Sequence, residues 1–141
     1  MCIRDRSNGI KWFRLDAVGF IWKESGTTCL HLPKAHSIVK LLSVLLNNLL
    51  EEGVLITETN VPQKENISYL ISDDEAHMAY NFPLPPLLLE AIITSRADIL
   101  NSWIFDWPIL PEETTLFNFT ASHDGVGLRA VSYTHLRAHE T

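Results

Sequence analysis

Three acids in this 141-residue chain each stand where a run of β-forming residues stops. Asp16 closes Trp12-Phe13-Arg14-Leu15-Asp16, and Glu58 closes Val54-Leu55-Ile56-Thr57-Glu58. Asp124 follows Phe117-Asn118-Phe119-Thr120-Ala121-Ser122-His123. A parallel α/β fold presents the C-terminal ends of its strands on one common face, and ligands bind there. Three carboxylates delivered to one rim are the equipment of glycosyl transfer. Taken singly each has a plainer reading: Asp16 as the N-cap of a following helix, Glu58 as a solvated loop acid, Asp124 as a turn residue.

The elements that must carry these acids follow from hydrophobic period. From Gly9, residues Ile10, Trp12, Arg14 and Asp16 share one strand face, and Lys11, Phe13 and Leu15 the other. Both faces are largely apolar, which predicts a strand buried on both sides. A long loop covers Val18 to Leu32. Pro33 then suits the first position of a helix in which Ile38, Leu41, Leu42, Leu45 and Leu49 recur at helical spacing, and Gly53 stops it. The leucines from Leu41 to Leu50 read as packing against the sheet. Val54–Thr57 is the next strand, and a second long loop contains Pro62 and the polar stretch Gln63 to Asn66. A third strand is expected over His77–Phe82, and helices from Pro85 to Ile93 and from Asp98 to Trp107. A last strand runs from Thr115 to Ala121. The order β-α-β-loop-β-α-α-β predicts a parallel sheet. From Asp16 to Glu58 there is room for one strand–helix unit of about 30 residues or more, and from Glu58 to Asp124 for two. The acids therefore fall on the first, second and fourth strands.

The ends of the chain read differently. Residues 131 to 141 match the in-frame translation of a transposase adapter used in sequencing libraries, and residues 1 to 6 match the reverse complement of its start. Ala130 is compatible with the same adapter. We expect residues 1–6 and 130–141 to be non-native and residues 7–129 to form one catalytic segment. The chain has 17 acids and 11 bases. Setting aside Asp5, Glu140, Arg4, Arg6 and Arg137 leaves 15 and 8, a balance that argues against nucleic acid or an anionic membrane surface as partner. Cys29 is then the one native cysteine, which excludes an intramolecular disulfide and suits a reducing, cytoplasmic setting. No apolar run reaches the roughly 18 residues of a membrane span.

At this point the residues resemble a family. Arg14-Leu15-Asp16-Ala17-Val18-Gly19, Leu55-Ile56-Thr57-Glu58-Thr59-Asn60-Val61-Pro62, Tyr80-Asn81-Phe82 and Ala121-Ser122-His123-Asp124-Gly125 are similar, in order and spacing, to motifs of the alpha-amylase family (glycoside hydrolase family 13). Trp22-Lys23-Glu24 and Glu65-Asn66-Ile67-Ser68-Tyr69 look like its sucrose-phosphorylase branch, of the sucrose or glucosylglycerate type. The resemblance implies part of a (β/α)8 TIM barrel, roughly strands 4 to 7 with their helices; a complete barrel takes ~250 residues. It implies Asp16 as nucleophile, Glu58 as general acid/base and Asp124 as the acid that stabilises the transition state. Retaining chemistry needs one ionised and one protonated carboxylate ~5–5.5 Å apart. Arg14, on the face of Asp16, would supply a cation beside it, and His123 would hold sugar hydroxyls. Phe20 and Thr59 either line the acceptor side or pack. The implied substrates are a small glucoside and inorganic phosphate, with no metal and no organic cofactor. Hydrolysis or transglucosylation is the alternative within the family. A truncated product without strands 1 to 3 and 8, inactive as written, is the alternative outside it.

Other signals are weaker. Cys29, His31 and His36 lack a fourth ligand for zinc. His77 reads as a packed or surface histidine, and Asp73-Asp74-Glu75 as a solvated turn. Asn66-Ile67-Ser68 and Asn118-Phe119-Thr120 match the glycosylation pattern by chance.

Overall fold

The computed structural model describes residue 5, residues 7–72 and residues 74–126. Four strands form one sheet: β1 (Trp12–Leu15), β2 (Val54–Thr57), β3 (Met78–Tyr80) and β4 (Thr115–Phe117). Four helices connect them: α1 (Pro33–Leu49), α2 (Gln63–Ile67), α3 (Leu84–Thr94) and α4 (Asp98–Phe105). The strand order in space is the order in sequence, and every pair is parallel.

Local chemistry explains the helix ends. Pro33 sits at the start of α1 and Pro85 and Pro86 in the first turn of α3, where a missing N–H costs nothing. Asp98 lies in the first turn of α4, where negative charge meets the positive end of the helix dipole. Gly53 follows α1 because space demands it: a Cβ there would stand 2.7 Å from Leu46 Cγ.

The register sorts side chains by face. Trp12 pairs with Val54, Leu15 with Thr57, Thr57 with Ala79 and Ala79 with Leu116. Partners in a parallel pair point to the same side, so Phe13, Leu15, Leu55, Ala79 and Leu116 face the helices. There they join Val18, Val39, Leu46, Tyr69, Leu70 and Ala76 in the core. Arg14, Ile56, Met78, Tyr80 and Phe117 point the other way.

Several expectations shift. β1 is not buried on both sides: Trp12 is 54% exposed, because the strand lies at the edge of the described sheet and no layer covers its second face. Leu41, Leu45 and Leu49 do not pack on the sheet either. Val39, Ser43 and Leu46 are the buried stripe of α1, and the exposed leucines lie round the helix from it. The polar stretch after Pro62 is not loop but α2, with Glu65 in its first turn. The last strand stops at Phe117, four residues early, and α4 at Phe105.

Glu75 corrects the reading of the acidic turn; Asp73 lies outside the described residues. Glu75 is buried at 6% exposure, its Oε2 2.8 Å from His36 Nδ1 and its Oε1 3.6 Å from Lys40 Nζ. A buried carboxylate is tolerated only with such partners. Asn66 is likewise buried and bonded, which leaves its amide inaccessible to glycosylation.

His77 is a half-buried link between strands, its Nδ1 accepting the Leu55 N–H at 3.1 Å. Burial lowers its pKa from 6.5, partly opposed by Glu113. The native state thus prefers neutral His77, and protonated Nδ1 would confront a backbone N–H. A depressed folded-state pKa gives stability that is present above the unfolded value and lost as pH falls below it. The melting temperature is expected to fall from pH 7 to pH 5. His77→Asn, whose Oδ1 accepts at any of these pH values, should flatten that fall; an unchanged slope would refute the role of His77.

Candidate active site

The sequence-predicted acids come from elements that the fold brings to one rim. Asp16 is the first residue beyond β1 and Glu58 the first beyond β2, and the register that pairs Leu15 with Thr57 sets them side by side. Arg14, two residues before Asp16 and so on the same face, reaches both. Its Nη2 is 2.5 Å from Asp16 Oδ1 and its Nη1 3.4 Å from Glu58 Oε2. The Arg14 guanidinium also lies 5.9 Å from the centre of the Tyr80 ring.

The two carboxylates differ in environment. The Asp16 side chain is 74% exposed and that of Glu58 only 17%. Glu58 Oε2 also accepts the Ala17 N–H at 2.9 Å. Ala17 has φ 43° and ψ 38°, the left-handed region that costs an L-residue on the order of 1–3 kcal/mol. That conformation turns the chain sharply after Asp16 and aims the amide at Glu58. Ala17 and Glu58, 41 positions apart in sequence, are thereby tied by a backbone-to-side-chain hydrogen bond, and Glu58 shares the Arg14 cation with Asp16.

Asp124 sits in a tight turn closed by Ser122 and Gly125, with Gly125 at φ 86°. Its Oδ2 is 3.4 Å from His123 Nε2, and its N–H is donated to Ser122 Oγ at 3.2 Å. A cavity of about 200 Å³ is lined by Glu58, Asn60, Phe82, Phe119, Ser122 and Asp124, among others. Glu58 and Asp124 thus share one cavity, and Arg14 links Asp16 to Glu58.

Phe20 and Thr59 are placed elsewhere. Phe20 is exposed, with Lys23 Nζ 5.2 Å above its ring. Thr59 is buried at 4% exposure and donates its hydroxyl to Asn66 Oδ1 at 2.7 Å, while Asn66 Nδ2 donates to the Tyr80 carbonyl at 2.8 Å. The loop after Glu58 is pinned to β3 by this pair. Among the described residues no group of three or more His, Cys, Asp or Glu side chains could hold a metal ion. No described helix is long and apolar enough to cross a membrane.

The sequence reading assigned no role to the aromatic wall. Tyr80 and Phe82, and Phe117 and Phe119, form a contiguous set of rings with centroids 4.9 to 5.6 Å apart. Their spacing of two along each strand end was the available signal, since it puts both members of each pair on one face. The Ala17 amide left no such signal.

Together these features define a parallel α/β segment whose strand ends gather two carboxylates and a guanidinium beside an aromatic-walled cavity. Comparison with known proteins gives that class a relationship. The chain is 51% identical over 123 residues to glucosylglycerate phosphorylase of Escherichia coli, covering 86% of this chain and 22% of that protein. It is 50% identical over 122 residues to glucosylglycerate phosphorylase of Allomeiothermus silvanus, again spanning 22% of it. Trehalose synthase of Thermus thermophilus is 31% identical over 125 residues. In fold, the chain matches sucrose 6F-phosphate phosphorylase from Thermoanaerobacter thermosaccharolyticum with a TM-score of 0.73 at 23% identity, over 89% of this chain and 24% of that one. No protein-family profile matches it. Over most of its length the chain is thus similar to glucosylglycerate phosphorylases, and in fold to a sucrose 6F-phosphate phosphorylase, and it spans about a fifth of the length of the curated relatives it matches.

Proposed function

We propose that this chain carries the catalytic carboxylates of a retaining α-glucosyl phosphorylase. Asp16 attacks the anomeric carbon of a small glucoside. As the glycosidic C–O bond breaks, Glu58 gives its proton to the departing oxygen. Inorganic phosphate then attacks the glucosyl–enzyme, the bond to Asp16 breaks, and glucose 1-phosphate leaves while Glu58 recovers a proton from the phosphate. Asp124 and His123 hold sugar hydroxyls as the ring flattens towards the oxocarbenium ion. The chemistry requires no metal and no organic cofactor. The observation that carries this reading is the Arg14 guanidinium lodged between Asp16 and Glu58. The relatives at about 50% identity bear phosphorylase names and support phosphate as acceptor.

In this reading the sheet is one arc of an eight-stranded barrel, roughly strands 4 to 7. Right-handed crossovers between parallel strands taken in sequential order put every helix on one face. The opposite face, with Arg14, Ile56, Met78, Tyr80 and Phe117, then becomes the barrel interior. Residues 7–129 are the catalytic part, and the adapter-like ends, 1–6 and 130–141, lie almost wholly outside the described residues. A reducing, cytoplasmic setting follows from the lone Cys29 of that part.

The test is a hybrid enzyme in which residues 7–129 replace the aligned segment of the Escherichia coli glucosylglycerate phosphorylase. A hybrid that melts cooperatively is expected to release glucose 1-phosphate from glucosylglycerate or a related glucoside only when phosphate is present. A folded hybrid that releases free glucose without phosphate would favour the hydrolase or transglucosidase reading, which the trehalose-synthase relatives make the second candidate. No turnover of any glucoside would overturn both.

A further inference from the structure

We propose that His31 and Tyr69 form a positioning pair that holds the turn behind Asp16, and so sets where the Asp16 carboxylate stands. The inference rests on the glucosyl-transfer reading for its effect on rate, though not for its geometry. Directly after Asp16 and Ala17 the chain runs through Val18 and Gly19, both buried. The His31 N–H is donated to the Gly19 carbonyl at 2.9 Å. The His31 ring packs so closely on Gly19 that a Cβ there would stand 2.9 Å from His31 Cε1 and 3.3 Å from Nδ1. The same His31 Nδ1 lies 2.9 Å from the Tyr69 hydroxyl.

Tyr69 is the rigid end of this chain of contacts. It is fully buried, and the His36 ring stacks on it at 4.2 Å with planes 13° apart. His36 is in turn held by the buried Glu75, which also meets Lys40. Burial keeps the Tyr69 phenol protonated, pushed up to about 12, and lowers the pKa of His31. A neutral imidazole and a phenol share one proton between Nδ1 and the hydroxyl, so the link does not depend on charge.

Two costs argue that this arrangement does more than fill space. His31, like Ala17, has a left-handed backbone, with φ 51°. His31 Nε2 is buried without a partner. An aliphatic side chain would fill the same volume with neither an orphaned polar atom nor a polar tie to Tyr69. Strain of this kind persists where surroundings over-determine it, and here it brackets the turn next to a strand-end carboxylate. What the pair supplies is a specified position for that turn. A misplacement of about 1 Å at a reacting group can cost on the order of 10²-fold in rate.

The test uses the hybrid enzyme with Tyr69→Phe, His31→Ala, Gly19→Ala and the double variant Gly19→Ala/His31→Ala. Tyr69→Phe removes one hydroxyl and keeps the stacked ring, so it is the variant expected to fold. It should lower kcat by roughly 10- to 10²-fold with KM within about threefold. It should also accelerate amide hydrogen exchange in the segment from Val18 to His31 by roughly tenfold or more. Gly19→Ala should impair the enzyme by collision with the His31 ring, and adding His31→Ala should restore part of the loss. Wild-type kcat and exchange in Tyr69→Phe, or no rescue in the double variant, would overturn the pair. If the unmodified hybrid shows no turnover, the glucosyl-transfer reading fails, and hydrogen exchange alone then decides for or against the pair.

Discussion

Asp16→Asn in the hybrid enzyme is expected to lower phosphorolysis by at least about 10⁴-fold, the scale lost when the nucleophile of a cooperative site is removed. Asn keeps the shape of Asp and still offers Arg14 an acceptor oxygen, so the contact at 2.5 Å can survive. What it removes is the negative oxygen that bonds to the anomeric carbon. The neutral amide leaves no route to the glucosyl–enzyme, and phosphate has no intermediate to attack. The effect should lie in kcat, with the melting temperature little changed, since Asp16 is largely exposed and anchors no core packing. A variant within tenfold of the unmodified hybrid would overturn the assignment of Asp16.

Glu58→Gln should cost about 10²- to 10⁴-fold on a glucoside whose leaving group must be protonated, the usual contribution of a positioned general acid. Gln retains an oxygen that can accept the Ala17 N–H, so the tie between the two strand ends is kept. The diagnostic feature is dependence on the leaving group. With α-glucosyl fluoride, which departs as fluoride without a proton, the deficit should shrink to about tenfold or less. Equal losses on both substrates would show that Glu58 supports the fold of the rim and not proton transfer. The two variants thus fail in different ways, one on every donor and the other only on poor leaving groups.

Asp16 and Glu58 sit in different surroundings. Asp16 faces solvent and the Arg14 cation. Glu58 lies inside the rim, against a cavity walled by Phe82 and Phe119. Asp124 enters that cavity from a turn beyond β4, at the far end of the sheet from Asp16.

The strands, the major helices and their order could be read from residue types, because each depends on neighbours close in sequence. Alternation through Trp12 to Leu15 and the run Val54 to Thr57 marked the strands, and Pro33 and Pro85 marked helix starts. Asp16 and Glu58 were legible for the same reason, since a strand end is a local property and a parallel sheet gathers such ends on one face, whereas Asp124 lies in a turn beyond the end of β4. The exposed half of α1 was not legible. Leu41 and Leu45 carry the same side chain as Leu46, and only the placement of the sheet decides which of them is buried.

Tertiary structure alone decided what depends on partners far apart in sequence. Glu75 is buried because His36 and Lys40, on another element, compensate the loss of water; without them the same acidic turn would stay solvated. Thr59 faces Asn66 instead of the rim because the loop after β2 folds back onto α2. Ala17 accepts a strained backbone because Glu58, 41 residues away, receives its amide. Residue type and period determined where the carboxylates would be delivered. Register and burial determined which groups hold them there, because those energies exist only once separate strands and layers have met.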